Sequence, residues 1–414
     1  VFGKYPMMNA ERFAALRDYA GLYTDGVDES RSTNTDWQDS LYGAGEMISH
    51  DVSVAGGTEK GSYNAGLSYY KEESVLPGQK FERYSLRAGV DQQIGSAFRI
   101  GFTTNSNYAV TNGDNIGTGT ILGTSPLANP YRADGSLKRI LSMGADDQWV
   151  YTRQSIKNLG ESYINLTRAF SSYNNIFAEL KIPGVKGLKY RLNTGLNLRT
   201  SNSGYYEGQG VFDVNPATLS NASITNALST QWLIENLLTY DRTFADKHTV
   251  NFVGLYSNEQ YTGNSSQISR NGITSDAFQF YNLGQSEEEA VINPANQDYT
   301  QWGLRSYMAR LMYSYDNKYF ISGTIRSDGS SRLSDGNKWV TYPAVSVGWN
   351  VSNESFMKGI KETVNLVKLR AGYGETSNQA VAPYATLGAL STRPYNFGNT
   401  NSTGVYVTEL PNPK

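Results

Sequence analysis

Between Leu188 and Arg199 the chain reads LKYRLNTGLNLR, and nearly every second residue is apolar. Leu188, Tyr190, Leu192, Leu196 and Leu198 share one parity, while Lys189, Arg191, Asn193, Asn197 and Arg199 share the other. Successive side chains of a β-strand point to opposite faces, so this segment is a strand with one apolar and one charged face. The pattern recurs along the chain. Residues 50–70, HDVSVAGGTEKGSYNAGLSYY, write a hairpin, with Ile48, Val52 and Val54 and then Tyr63, Ala65, Leu67 and Tyr69 on its apolar side. YSLRAGVDQQI sets Tyr84, Leu86, Ala88, Val90 and Ile94 against Arg83, Arg87, Asp91 and Gln93. After a two-residue turn at Gly95-Ser96, FRIGFTTNSNY sets Phe98, Ile100, Phe102 and Tyr108 against Arg99, Thr103, Asn105 and Asn107. Further strands are QWLIENLLTYD, HTVNFVGLY, YMARLMYSYD, YFISGTIRSD, WVTYPAVSVGWNV and LVKLRAGYG, with YNNIFAELKI a weaker one. The total is roughly twelve.

A soluble sandwich and a membrane barrel can both write this alternation, so the decision lies in what meets each face. No run of about 18 apolar residues exists, which excludes a transmembrane helix. It does not exclude a barrel, whose strands turn half their residues toward a polar lumen and leave an ordinary hydropathy; the mean here is -0.48. The links discriminate. GGTEKG, GS, PGVKG, FADK and DNK are tight. They alternate with long links at about Thr111–Ser171, Ser201–Thr230, Ser257–Arg305 and Ser327–Lys338. Outer-membrane barrels put short turns on one rim and long loops on the other. Sandwiches have no reason to sort loops by length, and propellers need a shared repeat that is absent. The apolar face is capped by aromatic residues at strand ends, among them Tyr63 and Tyr69, Tyr84, Phe98 and Tyr108, Trp232 and Tyr240, Tyr313 and Tyr315, Trp339 and Trp349. Such rings form the girdles at the two edges of a lipid-facing band.

Composition removes several functions. There are 36 basic and 38 acidic residues, so charge gives no argument for nucleic acid. No cysteine is present, which excludes disulfides, thiolate metal sites and cysteine nucleophiles. The two histidines, His50 and His248, leave little for a metal site or triad, and His50 falls on the lipid-side parity as an interfacial residue. The Gly-rich runs GDNIGTGTILG and GGTEKG lack the phosphate-loop pattern. DGSSRLSDGN could offer oxygens to Ca²⁺, but Asp-Gly is favoured by turn geometry alone, so the run reads as an extracellular turn. Asp146 and Asp147 stand close to Trp149; a sugar-binding patch there competes with ordinary solvated carboxylates. Trp149, Tyr205 and Tyr206 could stack on sugar rings or simply pack a loop. No catalytic set, cofactor site or metal site is assigned, and the substrate-binding residues are left unassigned. One helix precedes the strands: MNAERFAALRDYAGLY has Asn9 as N-cap and Phe13, Leu16, Ala20 and Tyr23 at helical spacing.

NTDWQDSLYGAGEMISHDVSVAGGTEKGSYNAGLSYYKEESVLPG resembles the start of the barrel in the SusC/RagA family of TonB-dependent outer-membrane transporters of Bacteroidetes. FERYSLRAGVD, WLIENLLTYDRTF, RLMYSYDNKYFISGTIRSDGSSRL, YPAVSVGWNVSNESFM and VKLRAGYGETSNQ carry the likeness along nearly the whole chain. The resemblance implies an all-β, 22-stranded transmembrane antiparallel barrel with a plug domain. Residues 1–47 would be an extracellular loop with a short helix, and 48–414 a partial barrel of approximately strands 2–13, with the plug outside this chain. The starting VFGKYP and ending TELPNPK read as an internal piece of a longer protein. The implied function is import of a nutrient, an oligosaccharide or oligopeptide, with no bond made or broken. The implied partners are a SusD-like surface lipoprotein, TonB, outer-membrane lipid and a second transporter pair. No cofactor is implied, since energy would come from the proton motive force. The alternatives are a barrel-based surface adhesin or secretion-system component, and a barrel enzyme for which no convergent residues are found.

Overall fold

The computed structural model describes residues 4–21, 24–76, 78–113, 123–144, 148–150, 159–360, 363–378, 381–398 and 400–412. Tyr23, Asp146, Asp147 and most of the GDNIGTGTILG run lie outside them, as does the side chain of Trp149. Two helices open the chain, α1 (Ala10–Ala20) and α2 (Trp37–Leu41). Asn9 caps α1 by accepting from the Arg12 amide, and Asp36 caps α2 by accepting from Gln38 and Asp39. Then come β1 (Glu46–Thr58), β2 (Gly61–Glu73), β3 (Lys80–Ile94) and β4 (Phe98–Asn112). Two short strands, β5 (Ile140–Ser142) and β6 (Gln148–Val150), pair within the following loop. The wall resumes with β7 (Tyr163–Lys181), β8 (Leu188–Glu207), β9 (Asn221–Phe244) and β10 (His248–Asn271). It continues with β11 (Asp298–Tyr315), β12 (Tyr319–Ser330), β13 (Trp339–Asn350) and β14 (Lys368–Gly374). A last hairpin, β15 (Ala389–Phe397) and β16 (Thr400–Glu409), forms its own two-stranded sheet.

Twelve strands form one sheet in the order β1-β2-β3-β4-β7-β8-β9-β10-β11-β12-β13-β14. Neighbours in this sheet are antiparallel, the up-and-down meander of a barrel wall. The strand count agrees with the periodicity, and so does the apolar parity. Val52 is 74% exposed, Leu67 63% and Ile325 54%, although each sits in the middle of a paired strand. A soluble sheet would cover such a continuous apolar face. On the opposite face charged, hydroxylic and amide side chains predominate.

Strand ends differ from the sequence reading. β9 and β10 are 24 residues each, whereas about 9–11 suffice to cross a bilayer. The long links therefore shrink to residues 113–162, 208–220, 272–297 and 331–338. Above the apolar band both faces of a strand meet water, so segments such as NSSQISRN keep their pairing and lose the alternation that reveals it. Asp328 and Gly329 accordingly lie in β12 instead of an extracellular turn. The six-residue link Ser74–Gln79 shows that the long-loop rim also holds a short connection, and the 17-residue link 351–367 breaks the short-turn rim.

The tight turns follow from local stereochemistry. Gly95-Ser96-Ala97 joins β3 to β4, one residue longer than expected. At the β9–β10 turn Ala245 and Asp246 take φ of 47° and 55°; at the β11–β12 turn Asp316 and Asn317 take 50° and 52°. The amides of Lys247 and Lys318 close these turns on Phe244 and Tyr315. Two consecutive positive φ values give the type I′ turn, whose twist matches the flanking strands.

Candidate functional site

The inner face of the wall is largely polar, interrupted where Leu237, Leu255 and Met308 meet across β9, β10 and β11. Near the short-turn rim Arg99 donates two hydrogen bonds of 2.7 Å to the Asp91 carboxylate. Glu179, opposite Arg99, stands 3.7 Å from Arg191. The Arg191 guanidinium lies 3.9 Å from the centre of the Phe177 ring. Phe177 in turn lies over Gly101, where a Cβ would stand 2.1 Å from the ring, so this close approach requires glycine. From Arg191 the network runs across the strands. Its Nε donates to Asn193 (2.7 Å), and Asn193 donates to Glu235 (3.2 Å). Higher on the wall Arg199 donates to the Tyr173 hydroxyl, and Gln231 donates to Glu259 at 2.5 Å. Arg326 binds Asp328 at 3.0 Å, and Tyr342 donates to the same carboxylate.

Toward the long-loop rim the inner face carries a stacked set. Tyr261 and Trp302 lie 5.7 Å apart with planes 14° from parallel, and the Arg332 guanidinium sits 4.1 Å over Trp302. Beside it Ala169, Ser171, Ser201, Ala227, Ser229 and Gly263 leave a recess of about 360 Å³, flanked by Arg199 and Tyr261. Small side chains give room, and the charged and aromatic flanks give hydrogen bonds and a stacking face. This surface can bind and orient a polar solute.

The loops above the rim are folded. Trp37 packs with Ala128, Leu141 and Met143, and its Nε1 donates to the Ser125 carbonyl (2.9 Å). Glu29, with a side chain 0% exposed, accepts from Arg17 (2.7 Å) and from the amides of Gly26 (2.7 Å) and Gly144 (2.9 Å). Burial alone would raise this carboxyl, but the Arg17 and backbone hydrogen bonds win and hold it at about 2. Arg139 reaches the carbonyls of Gly210 (2.7 Å), Asp213 and Val214 (2.6 Å), which ties the loop before β7 to the loop after β8.

Tyr205 and Tyr206 separate in role. Tyr206 is 0% exposed, packed with Leu166, Ala222, Ile273 and Phe280, and gives its hydroxyl to Asp276 (2.5 Å). It cannot present a face to a sugar. Tyr205 stays half-buried and donates to Glu207 (2.7 Å). Ser162 also donates to Asp276 (2.5 Å). Asp276→Ala is expected to cost about 1–3 kcal/mol, because two hydroxyls lose their shared acceptor; hydrogen exchange of the 272–283 amides will rise. Unchanged exchange would show that packing alone holds the loop. His50 lies on the outer face beside Tyr69, ring centres 6.5 Å apart and planes 14° from parallel. The stack of Trp302 with Arg332 was invisible in the sequence, since the two residues belong to separate strand–loop segments.

No family model matches the chain. Among curated proteins it is 29% identical over 421 residues to TonB-dependent receptor P26 of Formosa agariphila, covering 98% of this chain and 41% of that protein. It is 25% identical over 401 residues to TonB-dependent receptor SusC of Bacteroides thetaiotaomicron, covering 91% of this chain and 38% of that protein. Among solved structures it superposes on the RagAB peptide importer in its open-open state with a TM-score of 0.78 and 20% identity, over 98% of this chain and 44% of that one. The chain thus spans about two fifths of the curated relatives it matches.

Proposed function

We propose that this chain, a barrel segment of the SusC/RagA family of TonB-dependent receptors, forms part of the wall of an outer-membrane nutrient importer. The observation that carries this reading is the two-faced wall: a continuous apolar outer surface and a hydrogen-bonded polar inner one, with long loops folded over one rim. The outer face is a lipid surface. The inner face is a conduit for a polar solute, an oligosaccharide or an oligopeptide, held first at the Trp302–Tyr261–Arg332 stack and the recess beside it. The protein makes and breaks no bonds. TonB acts from the periplasm and draws on the proton motive force, no bound cofactor being required. A SusD-like lipoprotein covers the long-loop rim. A pair of such complexes is the assembly expected from the family.

The test uses the full-length parent protein in its own cells. Deleting its gene should abolish uptake of one labelled oligosaccharide or oligopeptide class, and an uncoupler should abolish the same uptake in the wild type. Trp302→Ala should raise the substrate concentration for half-maximal uptake about tenfold, given about 1–2 kcal/mol for a stacking contact. Uptake that survives the uncoupler would identify a passive pore and overturn the energised reading.

A further inference from the structure

The outer face is not uniformly filled. On β10 and β11, Gly254 is paired with Ala309, so the wall has no large side chain at that point. Leu238, Tyr256, Tyr307 and Ile325 border an open depression of about 530 Å³ around this floor. That volume lies within the ~300–1,000 Å³ typical of ligand pockets. Asn236, at its edge, accepts a hydrogen bond from the Tyr190 hydroxyl (2.6 Å), which satisfies part of its polarity inside the apolar band.

One strand step beyond Tyr307 on the same parity is Arg305, an exposed cation next to this largely apolar and aromatic depression. Its Nε donates to Asn258 (3.0 Å), and among the described residues it forms no ion pair. The bond to Asn258 orients the guanidinium and leaves its two terminal nitrogens available. Trp339 stacks on Tyr307 (5.8 Å, 26° from parallel) and crosses Gly329, where a Cβ would stand 2.6 Å from the indole. Gly329 is paired with Arg305, so the indole is fixed at the level of Arg305 on the strand next to it. Ten residues separate Arg305 from Tyr315 at the short-turn end, close to the ~9–11 residues of a full crossing. The cation therefore stands at headgroup level, where a charge on the lipid face costs little and a neighbouring anion makes it favourable.

We propose that this depression is a lipid site: the Arg305 guanidinium binds a phosphate of one anionic lipid of the outer leaflet, and an acyl chain of that lipid lies over Gly254 and Ala309. The planar guanidinium suits two phosphate oxygens, and the aromatic walls suit the chain. The inference rests on the reading of the outer face as lipid-facing.

The test takes the full-length protein from an outer-membrane fraction into phosphatidylcholine nanodiscs doped with phosphatidylglycerol, followed by native mass spectrometry after mild detergent release. One phosphatidylglycerol should remain bound per protein, in preference to phosphatidylcholine. Arg305→Gln should lower the retained fraction about tenfold, and Gly254→Leu, which fills the floor, should do the same. Heat-modifiable electrophoretic mobility checks that each variant is folded. A folded wild type that retains no phosphatidylglycerol, or an Arg305→Gln variant that retains it undiminished, would overturn the site and leave the barrel reading intact. A protein absent from the outer-membrane fraction would overturn the barrel reading and the site together.

Discussion

Phe102→Arg will destabilise the assembled barrel by about 2–4 kcal/mol, and Thr103→Arg, one residue away, by less than about 0.5 kcal/mol. The two positions are adjacent on β4 and differ in the face they present. Phe102 shares the outer parity with Phe98, Ile100 and Tyr108, and Thr103 shares the inner parity with Arg99 and Asn105. Phe102 is 39% exposed and loses some packing on substitution, so Phe102→Gln serves as the control that separates that loss from the cost of a charge against lipid. Beyond that loss, the two arginines would cost much the same in water. In a bilayer the outer one must strip its guanidinium of water or drag water in with it, while the inner one joins a surface that already carries Arg87 and Arg199. Urea titration of the full-length protein in lipid vesicles, read by the mobility shift of folded barrels on gels, measures the difference. Equal cost at the two positions would mean that the apolar face does not meet lipid.

Where lipid bounds one side of a strand, the sequence announces it. β8 alternates from Leu188 to Leu198 because one side chain in two must be apolar and its neighbour need not be. Beyond that stretch, at SNSGYYE, lipid no longer bounds the outer side, Tyr206 packs against the loop that carries Ile273 and Phe280, and the alternation stops while the pairing with β7 and β9 continues. The strand ends were therefore illegible for a physical reason. β15 was missed because Pro394 interrupts its alternation; Pro removes a backbone donor and argues against a strand interior, yet here it pairs with Thr403 in an isolated hairpin. The inner surface was legible as charged, but its networks were not. Glu235 meets Asn193, and through it Arg191, only by the register of β8 on β9, which no local pattern encodes. Tyr205 and Tyr206 look alike in sequence; their opposite roles depend on Asp276, 70 residues from Tyr206.

The second large effect concerns the loops. Glu29→Ala will loosen the loop assembly by about 3 kcal/mol, because it leaves the Arg17 guanidinium, 8% exposed, with only the longer and more exposed Asp25 contact (3.3 Å) to balance its charge. The same carboxylate also accepts from Gly26 and Gly144, so two backbone donors lose their acceptor at once. Its protonation gives an independent measure. The carboxyl falls from an ordinary 4.5 to about 2 on folding, which corresponds to about 3 kcal/mol by linkage. The sign follows from the direction. A depressed carboxyl stabilises fully above its unfolded value, and that stabilisation fades below about pH 4.5 and is gone once the pH has passed through about 2. Hydrogen exchange around Trp37 and Leu141 should therefore rise steadily in the wild type from pH 4.5 downward, after correction for the intrinsic rate. In Glu29→Gln it should be high at neutral pH and nearly flat with acid. The barrel strands should keep their protection in both proteins, since the pair lies in the loops. Wild-type loop protection that is already lost at pH 4.5, or a Glu29→Gln protein as protected as the wild type at pH 7, would show that the Trp37 cluster holds the loops without the ion pair. Their assembly would then be hydrophobic in origin, and the buried charge a passenger in it.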